Sequence, residues 1–513
     1  MPVEMSTRID KTKNFICCFP SPAAYAILSI IRISRKNMEK GVHHMLFRTK
    51  EKNPAGELCA MNPADRPIPL RHQLAYALNE LASNPIYTLT LSFLTFFYTD
   101  VLGMDAGLVG LIILVSKLFD GVSDLWAGNL IDHTHTRRGS ARPWVLRSAV
   151  LLAAAYVLLF TVPDCGTLGK AVYIFVTYNF AMTVAFTLLN CAINAMPVYM
   201  SNHSASRASA YSIRMIFAGL VQMIFSMLCL NIVDAMGGGQ RGWILMAAIL
   251  ATISFVVCLV VYFGTRETVT EVQKTEETVP FKTAILAVLK NKYWFLVLGM
   301  ILIIVFHQVA ALTVGVYYAK YILFDEKLAG SLVTYHHLGA AVGMLAMPFI
   351  LKGNISKKKA VVAAAWCMLA GALVSVFRSD GVFLILSLAL RGCGFGVVNS
   401  LYYGMLADSV DYGEWKTGIR SAAVTTSAGS VGQKLGAGLG AALIGLALSA
   451  SGYSGLLAQQ PAAALTCIRF IFTQFPVILY VALLVLMHFY DLDEQLPKIK
   501  QELERRAAGT AEV

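Results

Sequence analysis

Charged residues are scarce in this chain of 513 residues, and their scarcity excludes an ordinary soluble protein. Only 14% of the residues are Asp, Glu, Lys or Arg, whereas soluble globular proteins carry about 25%. Apolar residues make up 57% of the chain, and the mean hydropathy is +0.63. The composition therefore predicts a protein that spends most of its length inside a lipid bilayer.

Metal-binding and catalytic motifs are also missing. The 10 cysteines are scattered, without a CxxC pair or metal-ligand spacing, and we interpret them as small apolar filler. Neither HExxH nor Gly-x-Ser-x-Gly occurs in the chain. An intramembrane enzyme is therefore a remote alternative. We predict no enzymatic activity, no cofactor and no metal beyond a coupling cation.

Long apolar blocks recur along the chain. Blocks such as 293–306 and 361–377 approach the roughly 20 residues that a helix needs to cross the hydrocarbon. Twelve spans are predicted, at 74–98, 106–131, 144–163, 171–200, 211–234, 242–263, 293–322, 328–351, 360–377, 381–407, 421–449 and 466–489. We therefore predict an all-α polytopic membrane protein with about twelve transmembrane helices in two six-helix bundles.

A polar linker separates the sixth span from the seventh. This division is typical of major facilitator transporters, whose substrate binds near mid-membrane between the two halves. The first residues do not match the rest, and we interpret them as disordered or as the product of an upstream start codon, with Met61 as the start. A signal peptide is the lesser alternative. The predicted parts are an N-terminal extension (1–70), a first bundle (71–264), a cytoplasmic linker (265–292), a second bundle (293–490) and a cytoplasmic tail (491–513).

Basic residues collect in alternate loops, as at 137–142, 357–359 and 416–420. This asymmetry follows the positive-inside rule and predicts a multi-pass plasma-membrane protein with both termini in the cytoplasm. The net charge of +12 thus reports orientation, and we expect no nucleic-acid partner.

Three charged residues interrupt the second span. Lys117, Asp120 and Asp124 share one helix face with Ser123 beside them. A charge at this depth costs at least about 2.5–3.5 kcal/mol, so such groups face a cavity or a partner. Two carboxylates with a hydroxyl suit a small hard cation or a proton. The alternative is a pair of salt bridges, one to Lys117 and one to a cation from another helix.

Polar residues in the fourth span also lie on one face. Thr187, Asn190 and Asn194 can hydrogen-bond to a polar ligand or to neighbouring helices, and their spacing does not separate these possibilities. Further ionisable groups lie in the fifth span (Arg214) and the eleventh (Lys434).

Four motifs carry a resemblance to a known family. They lie at 97–103, 117–124, 132–144 and 408–420, and the last reads Asp-Ser-Val-Asp-Tyr-Gly-Glu-Trp-Lys-Thr-Gly-Ile-Arg. The chain resembles the glycoside-pentoside-hexuronide:cation symporters from about residue 71 to residue 490. The resemblance implies a secondary transporter that works by alternating access, with sugar or glycoside as substrate. We expect a monomer surrounded by membrane lipid. The same fold carrying a lipid or another solute is the alternative.

The resemblance also implies sites. Its cation site corresponds to Asp120, Ser123, Asp124 and Thr187, where Ser123 replaces an Asn and leaves sodium, lithium and proton open. Its sugar site corresponds to Asn84, Asn190, Asn194, Arg214 and Lys434. Amides here replace two carboxylates and an aromatic residue, which favours a more anionic ligand such as a hexuronide, unless Glu80 restores one carboxylate.

Charges in the cytoplasmic loops form a third predicted group. Opposite charges there are expected to pair across the two halves, to hold the outward-facing state closed on the inside, and to separate on opening. Because surface pairs contribute only about 0–1 kcal/mol each, a gate needs the whole network. The predicted gate residues are Asp132, Arg138, Arg142, Asp408, Asp411, Glu414 and Arg420.

Overall fold

Nearly all of the described chain is helical. The computed structural model describes residues 65–134, 136, 138–268, 281–352, 355–419, 422–457 and 459–510. In these residues the only β-type pairing is an isolated bridge between Thr136 and Gly139. Nine of the helices found there are long and apolar enough to cross a membrane. The predicted all-α polytopic fold is confirmed.

The first half contains six long helices, which we number α1 to α6. Helix α1 is built from the consecutive segments Leu70–Ala77, Glu80–Thr88, Leu89–Phe93, Leu94–Phe96 and Phe97–Val101. The others are α2 (Ala106–Asp132), α3 (Arg142–Phe160), α4 (Gly166–Met200), α5 (Ser204–Ala235) and α6 (Gly239–Gly264).

The second half repeats this arrangement with α7 to α12. These helices are α7 (Lys292–Tyr321), α8 (Leu328–Lys352), α9 (Lys357–Phe377), α10 (Gly381–Thr417), α11 (Ala422–Ala450) and α12 (Ala462–His488). A linker helix, Phe281–Leu289, precedes α7, and a tail helix, Leu492–Thr510, follows α12. The N-terminal extension before residue 65 lies outside the described residues.

Polar caps define several helix ends. Asp105 accepts the backbone N–H of Leu108 at 2.8 Å and so starts α2. Asn291 accepts two backbone N–H groups at the start of α7. Gly418 ends α10 with a φ of 71°, a left-handed conformation that glycine adopts without steric cost.

Four helices contain π-helical turns, in which one extra residue leaves backbone carbonyls without their usual α-helical partners. These turns are Leu89–Phe93 and Phe97–Val101 in α1, Phe180–Phe186 in α4, Ala310–Val314 in α7 and Phe470–Gln474 in α12. In one such turn of α1, the carbonyl of Leu91 accepts the hydroxyl proton of Thr313, which lies in the π-helical turn of α7, at 2.7 Å. This contact joins the two halves at their irregular turns.

We call the side with the loops near residues 102–105 the outer side, after the orientation predicted from the sequence. The described chain ends lie at the opposite side, where Asp65 contacts Asn202 and Glu502 contacts Trp415, and we call it the inner side. Close to the outer side, α2 and α11 approach backbone to backbone. A Cβ added at Gly110 would lie 2.7 Å from the carbonyl oxygen of Ala441, and one at Gly445 would lie 2.3 Å from that of Ala106. Glycine is required at both positions because any side chain would separate the helices.

Candidate transport site

The carboxylate of Asp120 lies near the middle of α2 and is almost fully buried. Thr187 of α4 donates its hydroxyl to Oδ1 at 3.2 Å, and the ammonium of Lys117 donates to Oδ2 at 3.0 Å. Ser123 donates to the backbone oxygen of Asp120 at 3.0 Å. Asp120 therefore joins α2 to α4 inside the first half.

Asp124, one turn further along α2, pairs with a cation from the second half. The Nζ of Lys434 in α11 lies 2.7 Å from its Oδ2, donates to the backbone oxygen of Asp120 at 2.6 Å, and lies 3.5 Å from Oδ1 of Asp120. We call Lys117, Asp120, Asp124, Thr187 and Lys434 the aspartate cluster. It holds two carboxylates and two ammonium groups, so its formal charges balance.

The aspartate cluster combines the two interpretations that the sequence left open. The salt-bridge alternative describes its contacts, since Lys117 and a lysine from another helix neutralise the carboxylates. The same oxygens, with the hydroxyl of Thr187, are hard donors that suit sodium or lithium. A cation that binds these oxygens would compete for the carboxylates with the ammonium of Lys434, which remains in the membrane.

A second polar network surrounds the buried guanidinium of Arg214 in α5. Its Nε donates to the carboxylate of Glu80 in α1, and its two terminal nitrogens donate to Asn194 at 2.5 Å and to Asn190 at 3.3 Å. The hydroxyl of Tyr76 accepts a further hydrogen bond at 3.3 Å. All four partners lie in the first half, so this Arg214 network does not cross to the second.

Asn84 completes the Arg214 network by donating to the other oxygen of Glu80. Five of the six predicted sugar-site residues therefore lie together, while Lys434 belongs to the aspartate cluster. Glu80 restores the carboxylate that the sequence had left in doubt. The positive charge assigned to Arg214 and Lys434 as an attraction for an anionic ligand is thus already neutralised in this structure.

A small cavity of about 30 Å³, with a mostly apolar wall, lies in the second half and was not expected from the sequence. Gln308, Asn399, Tyr402 and Gln433 bring polar groups to its wall, and Gln433 donates to the hydroxyl of Tyr402 at 2.7 Å. These residues come from α7, α10 and α11. Polar residues in apolar runs were the available signal, but single amides in different helices do not reveal that they share one cavity.

The outer side is closed by contacts around Asp100, at the end of α1. Lys320 of α7 pairs with its carboxylate at 2.7 Å, and the hydroxyl of Tyr321 donates to it at 2.6 Å. The hydroxyl of Tyr453, which follows α11, also donates to Asp100. We call Asp100, Lys320, Tyr321 and Tyr453 the outer cluster, and it links the two halves. Asp100 belongs to the motif at 97–103, and its position in the sequence did not indicate this role.

On the inner side, the α2–α3 loop is fastened to the end of α6. Arg138 donates to the hydroxyl of Tyr262 at 3.0 Å, and Arg142 donates to the backbone oxygen of Tyr262 at 2.6 Å. Glu267 accepts three consecutive backbone N–H groups, those of residues 140–142. Burial raises the pKa of Glu267, and these N–H donors partly offset the rise.

The inner end of α10 is fastened within the second half. Asp408 pairs with Lys357 at 2.5 Å, and Asp411 lies 3.8 Å from Lys500 of the tail helix. Arg420 and the side chain of Asp132 lie outside the described residues. The contacts described here for Arg138, Arg142 and Asp408 stay inside their own halves while the outer side is closed. The predicted pairing across the halves belongs to the opposite state and stays a prediction.

Known proteins match this chain over nearly all of its described length. The profile of the family described as MFS/sugar transport protein matches residues 75–494. The isoprimeverose transporter of Lactiplantibacillus pentosus is 33% identical over 448 residues, which cover 86% of this chain and 92% of that protein. The putative glycoside/cation symporter YagG of Escherichia coli is 29% identical over 454 residues, covering 87% and 97%.

Among solved structures, that of the nucleoside transporter NupG superimposes with a TM-score of 0.60 at 14% identity. The match covers 82% of this chain and 99% of NupG. At this level of identity the likeness shows a common fold.

Proposed function

The chain belongs to the MFS/sugar transport protein family, and from that premise we propose that it is a cation-coupled symporter of a neutral glycoside. It is a multi-pass membrane transporter whose relatives are named as carriers of sugars and glycosides. The coupling ion, the substrate and the roles of individual residues are the proposed elements.

One observation carries the proposal of coupling: the ion pair between Asp124 and Lys434 joins the two halves at the aspartate cluster. A sodium ion, lithium ion or proton that enters the cluster competes with Lys434 for the carboxylates. Its binding therefore changes the contact between the halves, which is the contact that alternating access must rearrange. Substrate and ion then affect each other's binding by the same factor.

The balance of charges supports a neutral substrate. Arg214 is paired with Glu80, and Lys434 with Asp124. A hexuronide carboxylate would have to displace one of these carboxylates, whereas hydroxyl groups of a neutral sugar need only hydrogen-bond partners such as Asn190 or Gln308. Among the relatives' printed substrates, isoprimeverose is neutral, whereas sulfoquinovose and 2,3-dihydroxypropane-1-sulfonate are anionic, so the choice rests on the charge balance in this chain. The hexuronide that the sequence favoured is the alternative.

The proposed transport cycle uses the two sides of the molecule in alternation. In the state described here the outer cluster is closed and the inner loops are held within their own halves. Opening outwards requires the Asp100 contacts to break and the inner charges to approach each other across the halves. Cytoplasmic termini, a plasma-membrane location and a monomeric carrier without enzymatic activity complete the proposal.

The test is uptake of labelled neutral glycosides and glucuronides into proteoliposomes, with sodium, lithium and proton gradients imposed separately. Asp120→Asn and Asp124→Asn are compared with Asp164→Asn, whose carboxylate is 95% exposed in the outer α3–α4 loop. We expect one ion to drive accumulation of a neutral glycoside in the wild type and in the control, and neither cluster variant to accumulate it. Glucuronide accumulation alone would contradict the substrate assignment. Equal accumulation by all variants would contradict the ion site.

A further inference from the structure

A second buried polar cluster lies in the second half, apart from the groups assigned to transport. His307 of α7, His336 of α8, Arg391 of α10 and Tyr480 of α12 are each at most 1% exposed. The rings of His307 and His336 lie 5.2 Å apart, and those of His307 and Tyr480 lie 5.3 Å apart. We call these four residues the Arg391 cluster.

Hydrogen bonds join three members of the Arg391 cluster to one another and to α12. Arg391 donates from Nε to the hydroxyl of Tyr480 at 3.3 Å and from Nη1 to the carbonyl of Phe472 at 3.1 Å. Phe472 lies in the π-helical turn of α12. The Tyr480 hydroxyl also shares a hydrogen bond with Nδ1 of His307, 2.8 Å away.

Several nitrogens of the cluster are buried without a hydrogen-bond partner. They are Nη2 of Arg391, Nε2 of His307 and both ring nitrogens of His336. A neutral imidazole has one N–H, so Arg391 and His336 present unpartnered donors from α10 and α8, beside an unpartnered ring nitrogen of His307 from α7. Among the described residues, the hydrogen-bond partners of Arg391 are a phenol and a backbone carbonyl, and its guanidinium also faces the Phe472 ring.

Arg391 differs from Arg214 in one respect: its described contacts include no carboxylate. The guanidinium stays protonated at any physiological pH. A buried charge is costly unless it is paired, and buried donors are costly unless they are satisfied. Arg214 meets both conditions through Glu80, whereas the described contacts of Arg391 supply no negative charge.

We propose that the Arg391 cluster binds one small inorganic anion of the halide class, such as chloride. A halide supplies the missing negative charge and accepts N–H groups from several directions at once. A halide is a single atom and therefore suits a site whose four side chains are closed to solvent. A sugar carboxylate would be too large for such a site. The ion is structural, since it holds α7, α8, α10 and α12 together, and the inference does not depend on the proposed substrate or coupling ion.

The first test compares thermal unfolding of the purified full-length protein in sodium chloride, sodium bromide and sodium gluconate at equal ionic strength. We expect Tm in either halide to exceed Tm in gluconate by about 1–2 °C, because an unfolding entropy of about 2 cal/mol/K per residue spreads the stabilisation by a bound ion over the whole chain. Arg391→Met should lose this difference. Arg378→Met, at an exposed arginine on the same side of the second half, should keep it.

A second measurement on the wild type covers the case in which Arg391→Met does not fold. Crystals grown in bromide should show an anomalous scattering peak within hydrogen-bond distance of Nη2 of Arg391. Water at that position with no bromide peak would overturn the proposal, as would equal Tm values in halide and gluconate. A halide effect that persists in Arg391→Met would overturn it as well.

Discussion

Ion pairs between the helices of this protein are of two kinds, those that stay within one half and those that cross between the halves. Arg214 and Glu80 connect α5 to α1, and both helices belong to the first half. Lys434 and Asp124 connect α11 to α2, one from each half. A pair within one half moves as a rigid part of that half. A crossing pair must form and break as the halves move, which makes it the natural place for a transported ion to act.

The largest effect on stability is expected from breaking the pair that stays within one half. Arg214→Met leaves the buried carboxylate of Glu80 without its cation, and breaking a buried pair in this way typically costs about 3–5 kcal/mol. We expect a marked fall in Tm, measured by thermal unfolding in detergent. The double variant Arg214→Met with Glu80→Gln should recover much of the loss. A double variant no more stable than Arg214→Met would contradict the assigned pairing.

The crossing pair is expected to matter for coupling more than for stability. Asp124→Asn removes a carboxylate that the transported cation needs, so substrate should still equilibrate while its inside-to-outside ratio stays at about one. Uptake under an imposed ion gradient measures accumulation, and exchange of internal for external substrate measures movement alone. Loss of both activities would show that Asp124 is needed for the conformational change itself.

The outer cluster also contains an ion pair between the halves, Asp100 with Lys320. Unlike Asp124 with Lys434, this pair is not proposed to bind a transported ion. Asp100→Asn weakens charged hydrogen bonds, each of which contributes about 1.5–3 kcal/mol. The outward-open population should therefore rise roughly tenfold, since 1.4 kcal/mol corresponds to a factor of ten. Spin labels at positions 164 and 380, on outer loops of the two halves, report this opening once the ten native cysteines have been replaced by serine.

The control for Asp100→Asn is a second ion pair between the halves. Asp234 lies 3.4 Å from Lys327, and both side chains are more than half exposed. Exposed pairs contribute about 0–1 kcal/mol, so Asp234→Asn should change the spin-label distances little. Equal changes of the spin-label distances in Asp100→Asn and Asp234→Asn would mean that the burial of Asp100 does not strengthen the closed state of the outer side.

The smallest effect is expected at the inner loop contact within the first half. Glu267→Gln keeps a side-chain oxygen that can accept N–H groups of residues 140–142, so the free energy of unfolding should change by less than about 1 kcal/mol. Because burial raises the pKa of Glu267 above its ordinary value of 4.5, the folded state binds this proton more tightly than the unfolded state. The contribution of Glu267 to stability therefore declines as pH rises from that value through the raised pKa.

Thermal unfolding between pH 4 and pH 8 tests this sign. The wild type should lose slightly more stability than Glu267→Gln as the pH rises, since the variant has no carboxyl group at this position. A wild type that gains stability relative to the variant over this range would show that the three N–H donors outweigh burial.

Much of the architecture could be predicted from the chain alone. Apolar blocks of membrane-spanning length predicted the helices, and charged residues inside them had to face a partner or a cavity. For that reason Asp120, Asp124, Arg214 and Lys434 stood out before any contact was known. The outer cluster did not, because Asp100 lies near the end of its apolar block, where a carboxylate looks like an ordinary helix-end residue.

The partners of these charges depend on the tertiary structure. Asn190 and Thr187 share one face of α4, yet Thr187 contacts α2 while Asn190 contacts α5. Lys434 was grouped with the sugar site, whereas its contacts place it on the two aspartates. Spacing along one helix sets which side chains share a face, but it carries no information about which neighbouring helix that face meets.

The sequence by itself determined that this chain spans a membrane, since its apolar blocks can be buried only in lipid, and it determined where buried charge must be compensated. The tertiary structure decided which groups do so, leaving Glu80 with Arg214, Asp124 with Lys434, and Arg391 without a carboxylate among its described contacts. The physical reason is distance. Hydropathy acts along the chain over one helix, whereas an ion pair requires atoms from helices hundreds of residues apart to meet within about 4 Å.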